Sequence, residues 1–266
     1  MVLATFNTHL GIDGWGRPFD LVAECRSLDA DILILQESWA PDDGSTGTAA
    51  AVAQQLGYTV VSEVGLAHIT LLPPRHTTST RWGPPASPLR KTYHVDQDRP
   101  RESKASLKAE AVPGEWSLAM LSRIAVTDVR TLTLKPLSRD QARRRVVLGC
   151  TVELEGGPLE VFGTHMSHIT HGSHLQYRRL RGLLPPPSTA AVLAGDMNLW
   201  GPPVNSYLRG WRRAIKARTW PATRPHSQLD HVLVTPPVSV LGARVGAFAG
   251  SDHLPVVVTL GLTPAC

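Results

Sequence analysis

AAVLAGDMN, residues 190–198, is the stretch on which the reading of the fold turns. An apolar run, Ala190 to Ala194, stops at Gly195 and is followed by Asp196 and Asn198, two positions apart. The run has the length and character of a buried strand, and on a strand alternate side chains share a face. If the strand persists to its end, the Asp196 carboxylate and the Asn198 amide point into one space. One can take a proton and the other can donate hydrogen bonds. A simple turn would use the same residues, because Gly-Asp and Asn are turn formers. Whether other strands end in the same way separates the two readings.

They do. Val2 to Leu10 (VLATFNTHL) alternates, with Val2, Ala4 and Phe6 on one face and Leu3, Thr5, Asn7 and His9 on the other. The short apolar run after Asp31 stops at Gln36-Glu37, and Leu159 to Gly163 is followed by Thr164-His165. Asp230-His231 interrupts the strand expected over Leu229 to Val234, and Ser251-Asp252-His253 precedes a closing strand, Leu254 to Leu262. A polar or charged group beside a core costs roughly 1 to 3 kcal/mol or more unless it is paired or bound to metal. Convergence on one pocket explains all these endings jointly. The inventory suits hydrolysis of phosphate esters, which needs a hard cation on an oxygen, a base for water and donors for developing charge.

The rest of the pattern predicts helices over Phe19 to Leu28, Ala49 to Leu56 and Gln176 to Leu184. Strands are expected within Tyr58 to Leu72 and over Trp116 to Arg123, Ile124 to Leu134, Arg145 to Leu154 and Val238 to Val245, with a hairpin turn at Glu155-Gly156-Gly157-Pro158. Many strands with helices threaded among them lack the regular alternation of a doubly wound sheet. Two packed sheets flanked by helices, in one domain over residues 1–266, is the expectation. Pro73 to Gly114 reads as a long excursion with a positive excess, of the kind that forms lids or binding loops.

Composition narrows the class. Hydrophobic residues make up 42% and charged residues 18% of 266, which is ordinary for a globular protein and excludes wholesale disorder. Cys25, Cys150 and Cys266 are widely spaced and form no CxxC pair, so neither a disulfide framework nor a thiolate zinc site is suggested. With no signal-like start and no membrane-length apolar run, a cytoplasmic monomer without membrane insertion is expected. The net charge of +5 favours anionic partners. Arg209, Arg212, Arg213, Lys216, Arg218 and Arg224, interleaved with Trp211 and Trp220, read either as a solvated helix face over Leu208 to Ala217 or as a contact for phosphates and bases.

The segments FNTHL, ILQES, LAMLSR, FGTHMSH, LAGDMN, TWPATRP with QLDHVLV, and SDHLPV occur in that order, and together they resemble the endonuclease/exonuclease/phosphatase superfamily of DNase I-like phosphoesterases. The resemblance spans the chain and implies a four-layer α/β sandwich, two mainly antiparallel sheets flanked by helices, with the site at one edge of the paired sheets. It implies a Mg²⁺-dependent hydrolase, with Mn²⁺ or Ca²⁺ as substitutes. Glu37 resembles the metal-binding glutamate with Asn7 beside it, and Asp252 an aspartate that helps at the metal. His253 is similar to the histidine on the scissile phosphate, oriented by Asp230. His165 resembles a second active-site histidine, for which Glu115 is read as a partner. Asp196 matches the position that activates or orients water, and Asn198 the one that stabilises the pentacovalent charge. The water proton goes to Asp196 or to His253.

Several features depart from that pattern. His165, His168, His171 and His174 recur every third residue, which invites a zinc reading, but that spacing walks around a helix and suits polar surface better. No counterpart is seen to the mid-chain tyrosine of abasic-site endonucleases, which disfavours that subgroup. A nuclease or other phosphodiesterase, or a phosphatase, is expected, with nucleic acid the first substrate. The alternatives are a lipid headgroup phosphoesterase acting on sphingomyelin or phosphoinositides, and a catalytically silent polyanion-binding module. The first would show an exposed apolar hairpin. The second would have lost part of the polar set.

Overall fold

The computed structural model describes residues 1–13, 16–71, 111–137, 140, 142–168 and 173–263. Within these residues, twelve strands form two six-stranded sheets. The first contains β1 (Val2–Asn7), β2 (Ile32–Pro41), β3 (Thr59–Leu71), β4 (Val112–Ser122), β11 (Val238–Val245) and β12 (Val256–Leu262), in the order β11-β12-β1-β2-β4-β3. The second contains β5 (Thr127–Leu134), β6 (Arg145–Leu154), β7 (Gly157–His165), β8 (Ala191–Asp196), β9 (Arg212–Arg213) and β10 (Asp230–Val234), in the order β5-β6-β7-β8-β10-β9.

Both sheets are built on one plan. Each has a single parallel pair at its centre, β1 with β2 and β7 with β8, and every other pairing is antiparallel. A parallel pair needs a crossover connection. Helix α1 (Leu21–Leu28) makes it in the first sheet and α3 (Ser173–Leu183) in the second. Two further helices, α2 (Thr48–Leu56) and α4 (Gly201–Tyr207), complete the outer layers. The α1 boundaries are written locally: Asp20 caps the first turn by accepting from the Ala23 N–H, and Asp29 ends it in a left-handed conformation.

Strand alternation sorts the side chains into three cores. Leu3, Ile32, Ile34, Leu118, Val161, Val192, Ala194, Val232 and Val258 pack between the sheets. Phe6, Leu33 and Leu35 face α1 and α2, while Phe162, Leu193 and Leu233 face α3 and α4. The layers therefore run helix, sheet, sheet, helix, the sandwich expected from the sequence. Cys25 and Cys150 are buried free thiols, and Cys266 lies outside the described residues. Among the described residues no helix is long and apolar enough to cross a membrane.

The structure revises three expectations. Most of the Pro73 to Gly114 excursion lies outside the described residues, and its last residues, from Val112, already belong to β4. Leu208 to Ala217 is not a helix: the chain turns at Gly210, in a left-handed conformation, and Arg212 and Arg213 pair with Val234 and Leu233 as β9. Tertiary pairing at an open sheet edge overrides helical spacing there. Nor does β2 stop at Glu37; it continues to Pro41.

Candidate active site

The carboxyl ends of the two parallel pairs lie at the same edge of the sandwich. Asn7 is in register with Gln36 across β1 and β2, His165 with Asp196 across β7 and β8, and Asp230 with Asp196 across β8 and β10. Asn7, His165, Asp196 and Asp230 each share the parity of the residues packed between the sheets. Their side chains enter one buried space for that reason.

Asn198 arrives there by another route. β8 ends at Asp196, Asn198 takes a left-handed φ of 48°, and its backbone N–H donates to Asp196 Oδ1 at 2.8 Å. The turn and the site are thus the same structure. From that turn Asn198 Nδ2 lies 3.3 Å from His165 Nε2 and donates to the Met166 carbonyl at 2.9 Å. Gly195 is required just before it, because a Cβ there would sit 1.9 Å from the Thr164 carbonyl oxygen on β7. The Tyr177 hydroxyl of α3 donates to the Met197 carbonyl and anchors the same turn.

Glu37 is placed by a β-bulge. Ile32 and Ile34 face the inter-sheet core and Leu33 and Leu35 face the helices, so strict alternation would turn Glu37 outward. The pairing with β4 slips between Gln36 and Ser38, and Glu37 adopts a left-handed φ of 53°. A bulge of this kind re-aims a side chain, at a cost of about 1 to 3 kcal/mol for a non-glycine residue. Thr8 supports it, donating from Oγ1 to the Gln36 and Glu37 carbonyls at 3.1 and 2.9 Å. Glu37 Oε1 then accepts from Asn7 Nδ2 at 3.3 Å and lies 4.0 Å from His165 Nε2. Asn7 Nδ2 also donates to Asp196 Oδ2 at 3.0 Å, while its Oδ1 accepts the His9 N–H.

The loop after β11 closes the site. Ser251 Oγ donates to the Asn7 carbonyl at 2.6 Å and accepts the His253 N–H at 3.1 Å, which fixes the loop to the end of β1. His253 Nδ1 donates to Asp230 Oδ2 at 2.9 Å, leaving Nε2 3.8 Å from Asp196 Oδ2 and 4.0 Å from Asp252 Oδ1. Trp220 Nε1 donates to Asp252 Oδ2 at 3.2 Å.

Burial polarises these groups. It pushes Glu37 up to about 8, reinforced by the Asp252 and Asp196 carboxylates. Burial also raises Asp196 to about 6, against the pull of His253. His253 resists burial because Asp230, Asp196 and Asp252 surround it, and it is held well above the ordinary imidazole value. His165 goes the other way, lowered well below it by burial and by Arg145 and His253. The two imidazoles beside Asp196 are therefore shifted in opposite directions, His253 toward the cation and His165 toward the neutral ring.

Every site residue expected from the sequence falls in this edge cluster, but Glu115 does not partner His165. It is exposed, on the opposite face of β4 from Trp116. The His165 ring instead meets the edge of Trp116, with centroids 5.4 Å apart. Behind it lies a buried pair that sequence reasoning missed: Arg145 donates to both Asp140 oxygens at 2.8 and 2.9 Å and to the His165 carbonyl at 3.1 Å. Their separation by five residues within a loop-to-strand junction gave no periodic signal. Of the other histidines in that series, His168 and His174 are exposed and His171 lies outside the described residues.

Among the described residues, two groupings of the carboxylates around Asp196 could hold a cation. Asp196, Asp230 and His253 present ligand atoms within 4.8 Å of one another, but the proton between His253 and Asp230 already satisfies that pair. Glu37 and Asp252, with Asp196 nearby, are buried or nearly buried carboxylates, and the charges of Asp252 and Asp196 add to the burial that raises Glu37. Excess negative charge on hard oxygen donors fits Mg²⁺. For Asn7 to join as a ligand its carbonyl oxygen would have to leave the His9 N–H.

A family model described as "Endonuclease/Exonuclease/phosphatase family" matches residues 4–253. Among solved structures, an endonuclease/exonuclease/phosphatase from Beutenbergia cavernae DSM 12333 is 20% identical with a TM-score of 0.65, covering 98% of this chain and 71% of that one. The mannosyl-6-phosphatase Bt3783 of Bacteroides thetaiotaomicron VPI-5482 is 13% identical, with a TM-score of 0.57 and coverage of 98% and 100%. An AP endonuclease from Archaeoglobus fulgidus is 16% identical, with a TM-score of 0.58 and coverage of 98% and 100%. Among curated proteins, none matches the chain.

Proposed function

From the premise that this chain belongs to the endonuclease/exonuclease/phosphatase family, whose members are hydrolases acting on phosphate esters, we propose that it is a metal-dependent phosphodiesterase that attacks its ester in line with water and takes nucleic acid as substrate. The observation that carries the reading is the placement of two imidazoles around Asp196, His165 Nε2 at 3.6 Å and His253 Nε2 at 3.8 Å from Asp196 Oδ2. His253, held charged by Asp230, is a hydrogen-bond donor to a phosphate oxygen through Nε2. Asp196, raised to about 6, suits the role of base for the attacking water better than a histidine already protonated. Asn198 Nδ2 and neutral His165 face the same space and would stabilise charge developing on phosphorus. Glu37 and Asp252 would hold Mg²⁺, which when bound supplies Lewis-acid charge on a phosphate oxygen.

The choice of nucleic acid rests on surface charge. Between Ser173 and Val234 there are nine lysines and arginines, and the only acidic residues are Asp196 and Asp230, both buried in the site. Trp200, two residues beyond Asn198, is 54% exposed, as a surface that stacks on bases would be. A panel of plasmid DNA, single-stranded DNA, RNA, an inositol phosphate and a generic bis-ester, each with and without EDTA, tests this. EDTA-sensitive turnover is expected on one of the polynucleotides. Turnover only on the small esters would replace the substrate, and none on any would indicate a silent binding module.

A further inference from the structure

Among the described residues at the site edge, His9 is a group that the reading above leaves unused. Its ring is buried, 1% exposed, on a turn where His9 and Leu10 have left-handed φ values of 54° and 61°. Nδ1 lies 2.7 Å from the Ile12 carbonyl, which can only accept, so Nδ1 carries the proton and Nε2 presents its lone pair. Nε2 has no hydrogen-bond partner and is 3.7 Å from Asp252 Oδ1. The other Asp252 oxygen is already taken by Trp220. Two acceptors thus face one another, and the nearest cation to Asp252 Oδ1, His253 Nε2 at 4.0 Å, is beyond hydrogen-bond reach.

From this geometry we propose that His9 Nε2 and Asp252 Oδ1 are paired ligands of a cation position that prefers a nitrogen-tolerant divalent ion such as Mn²⁺ over Mg²⁺. Two atoms each about 2.1 Å from a common ion lie at most about 4.2 Å apart, and 3.7 Å falls inside that limit. Each ligand is held from behind as metal ligands are, the imidazole by a backbone carbonyl and the carboxylate by an indole N–H. Imidazole suits transition metals, whereas Mg²⁺ is bound by oxygen. The proposal shares only Asp252 with the metal-dependent hydrolysis reading, and its test does not use turnover.

The full chain, stripped with EDTA and dialysed, is titrated with Mn²⁺ by electron paramagnetic resonance and with Mg²⁺ by calorimetry. The key variant is His9→Asn, because asparagine tolerates a left-handed backbone; circular dichroism checks its fold. Mn²⁺ binding should weaken by about 10- to 100-fold in the variant, while Mg²⁺ binding stays nearly unchanged. In wild-type protein with ¹⁵N-labelled histidine, substoichiometric Mn²⁺ should broaden an imidazole resonance that is absent from the variant. Equal Mn²⁺ binding by the two folded proteins, or equal losses for both ions, would overturn the proposal while leaving hydrolysis through Glu37 standing. Should the variant fail to fold, absence of any broadened imidazole in wild type overturns it alone.

Discussion

The layer formed around α1 and α2 and the layer formed around α3 and α4 cover equivalent sheets and carry opposite charge. Residues 1–71 contain nine acidic side chains against Arg17 and Arg26. Residues 173–234 contain nine basic ones and, outside the buried site, no acid. The sheets beneath are alike, each with a central parallel pair whose carboxyl ends deliver site residues. Fold therefore explains where the site is, since ligands bind at the carboxyl ends of parallel strands. Charge explains which side of the site an anion would approach.

The largest effect should come from breaking what the two sheets share. Glu37→Ala removes the only carboxylate delivered by the first sheet's parallel pair, and His253→Ala removes the cation opposite it. Each should lower metal-dependent hydrolysis by about 10³-fold or more, measured as kcat at saturating metal. Retained activity in both variants would sink the catalytic scheme.

Next is a contrast between ion pairs. Arg145 and Asp140 on the second sheet have side chains 4% and 3% exposed, whereas Arg123 and Asp29 on the first are 30% and 88% exposed. Arg145→Met should cost about 3 kcal/mol, because it removes the counter-charge of a buried carboxylate and leaves it only the Ser167 hydroxyl and the Ala142 N–H as donors. Asp29→Asn should cost no more than about 1 kcal/mol. Urea unfolding reads both.

The third test concerns pH. Glu37 and Asp196 bind protons more tightly folded than unfolded, at about 8 and 6 against 4.5 and 3.8. Their stabilising effect is present at low pH and is lost as pH rises through that window; His253, also raised, acts in the same direction, while His9, His165 and His231, all lowered, oppose it only up to the ordinary imidazole value near 6.5. EDTA-treated protein should therefore melt at lower temperature at pH 8 than at pH 6.5. Added Mg²⁺ should reduce the difference, and a metal-free melting temperature that rises with pH would contradict the assignment.

The smallest effect sharpens the charge contrast itself. Reversing Arg178, Arg179 and Arg181 to Glu on α3 should raise KM for a polynucleotide about tenfold at low salt and less at high salt. Reversing Asp20, Asp42 and Asp43 to Lys on the opposite layer should not raise it.

How much of this was legible beforehand differs residue by residue. Asn7, His165, Asp196 and Asp230 could be read from the chain because strand parity alone carries a side chain to a face, and each lies at the end of an apolar run. Glu37 reaches the pocket by a route that the ending of an apolar run does not contain: β2 does not end there, and only a bulge turns the residue inward. Glu115 points away from His165 because the inward parity on β4 belongs to its neighbour Trp116. Arg145 and Asp140 were invisible, since an ion pair between a loop and a strand leaves no period to detect.

The amino-acid sequence by itself determined the alternation that sorts three cores, the capped α1 helix, the glycine that β7 and β8 require, and the set of polar residues that apolar runs deliver to one edge. These depend on local geometry and on side-chain type. The tertiary structure alone decided which way Glu37 points, that Arg212 and Arg213 pair as a strand, that Asp230 holds His253 charged while burial keeps His165 neutral, and that His9 faces Asp252. Those outcomes depend on distances between residues far apart in the chain, and proton affinity and register are properties of such neighbourhoods.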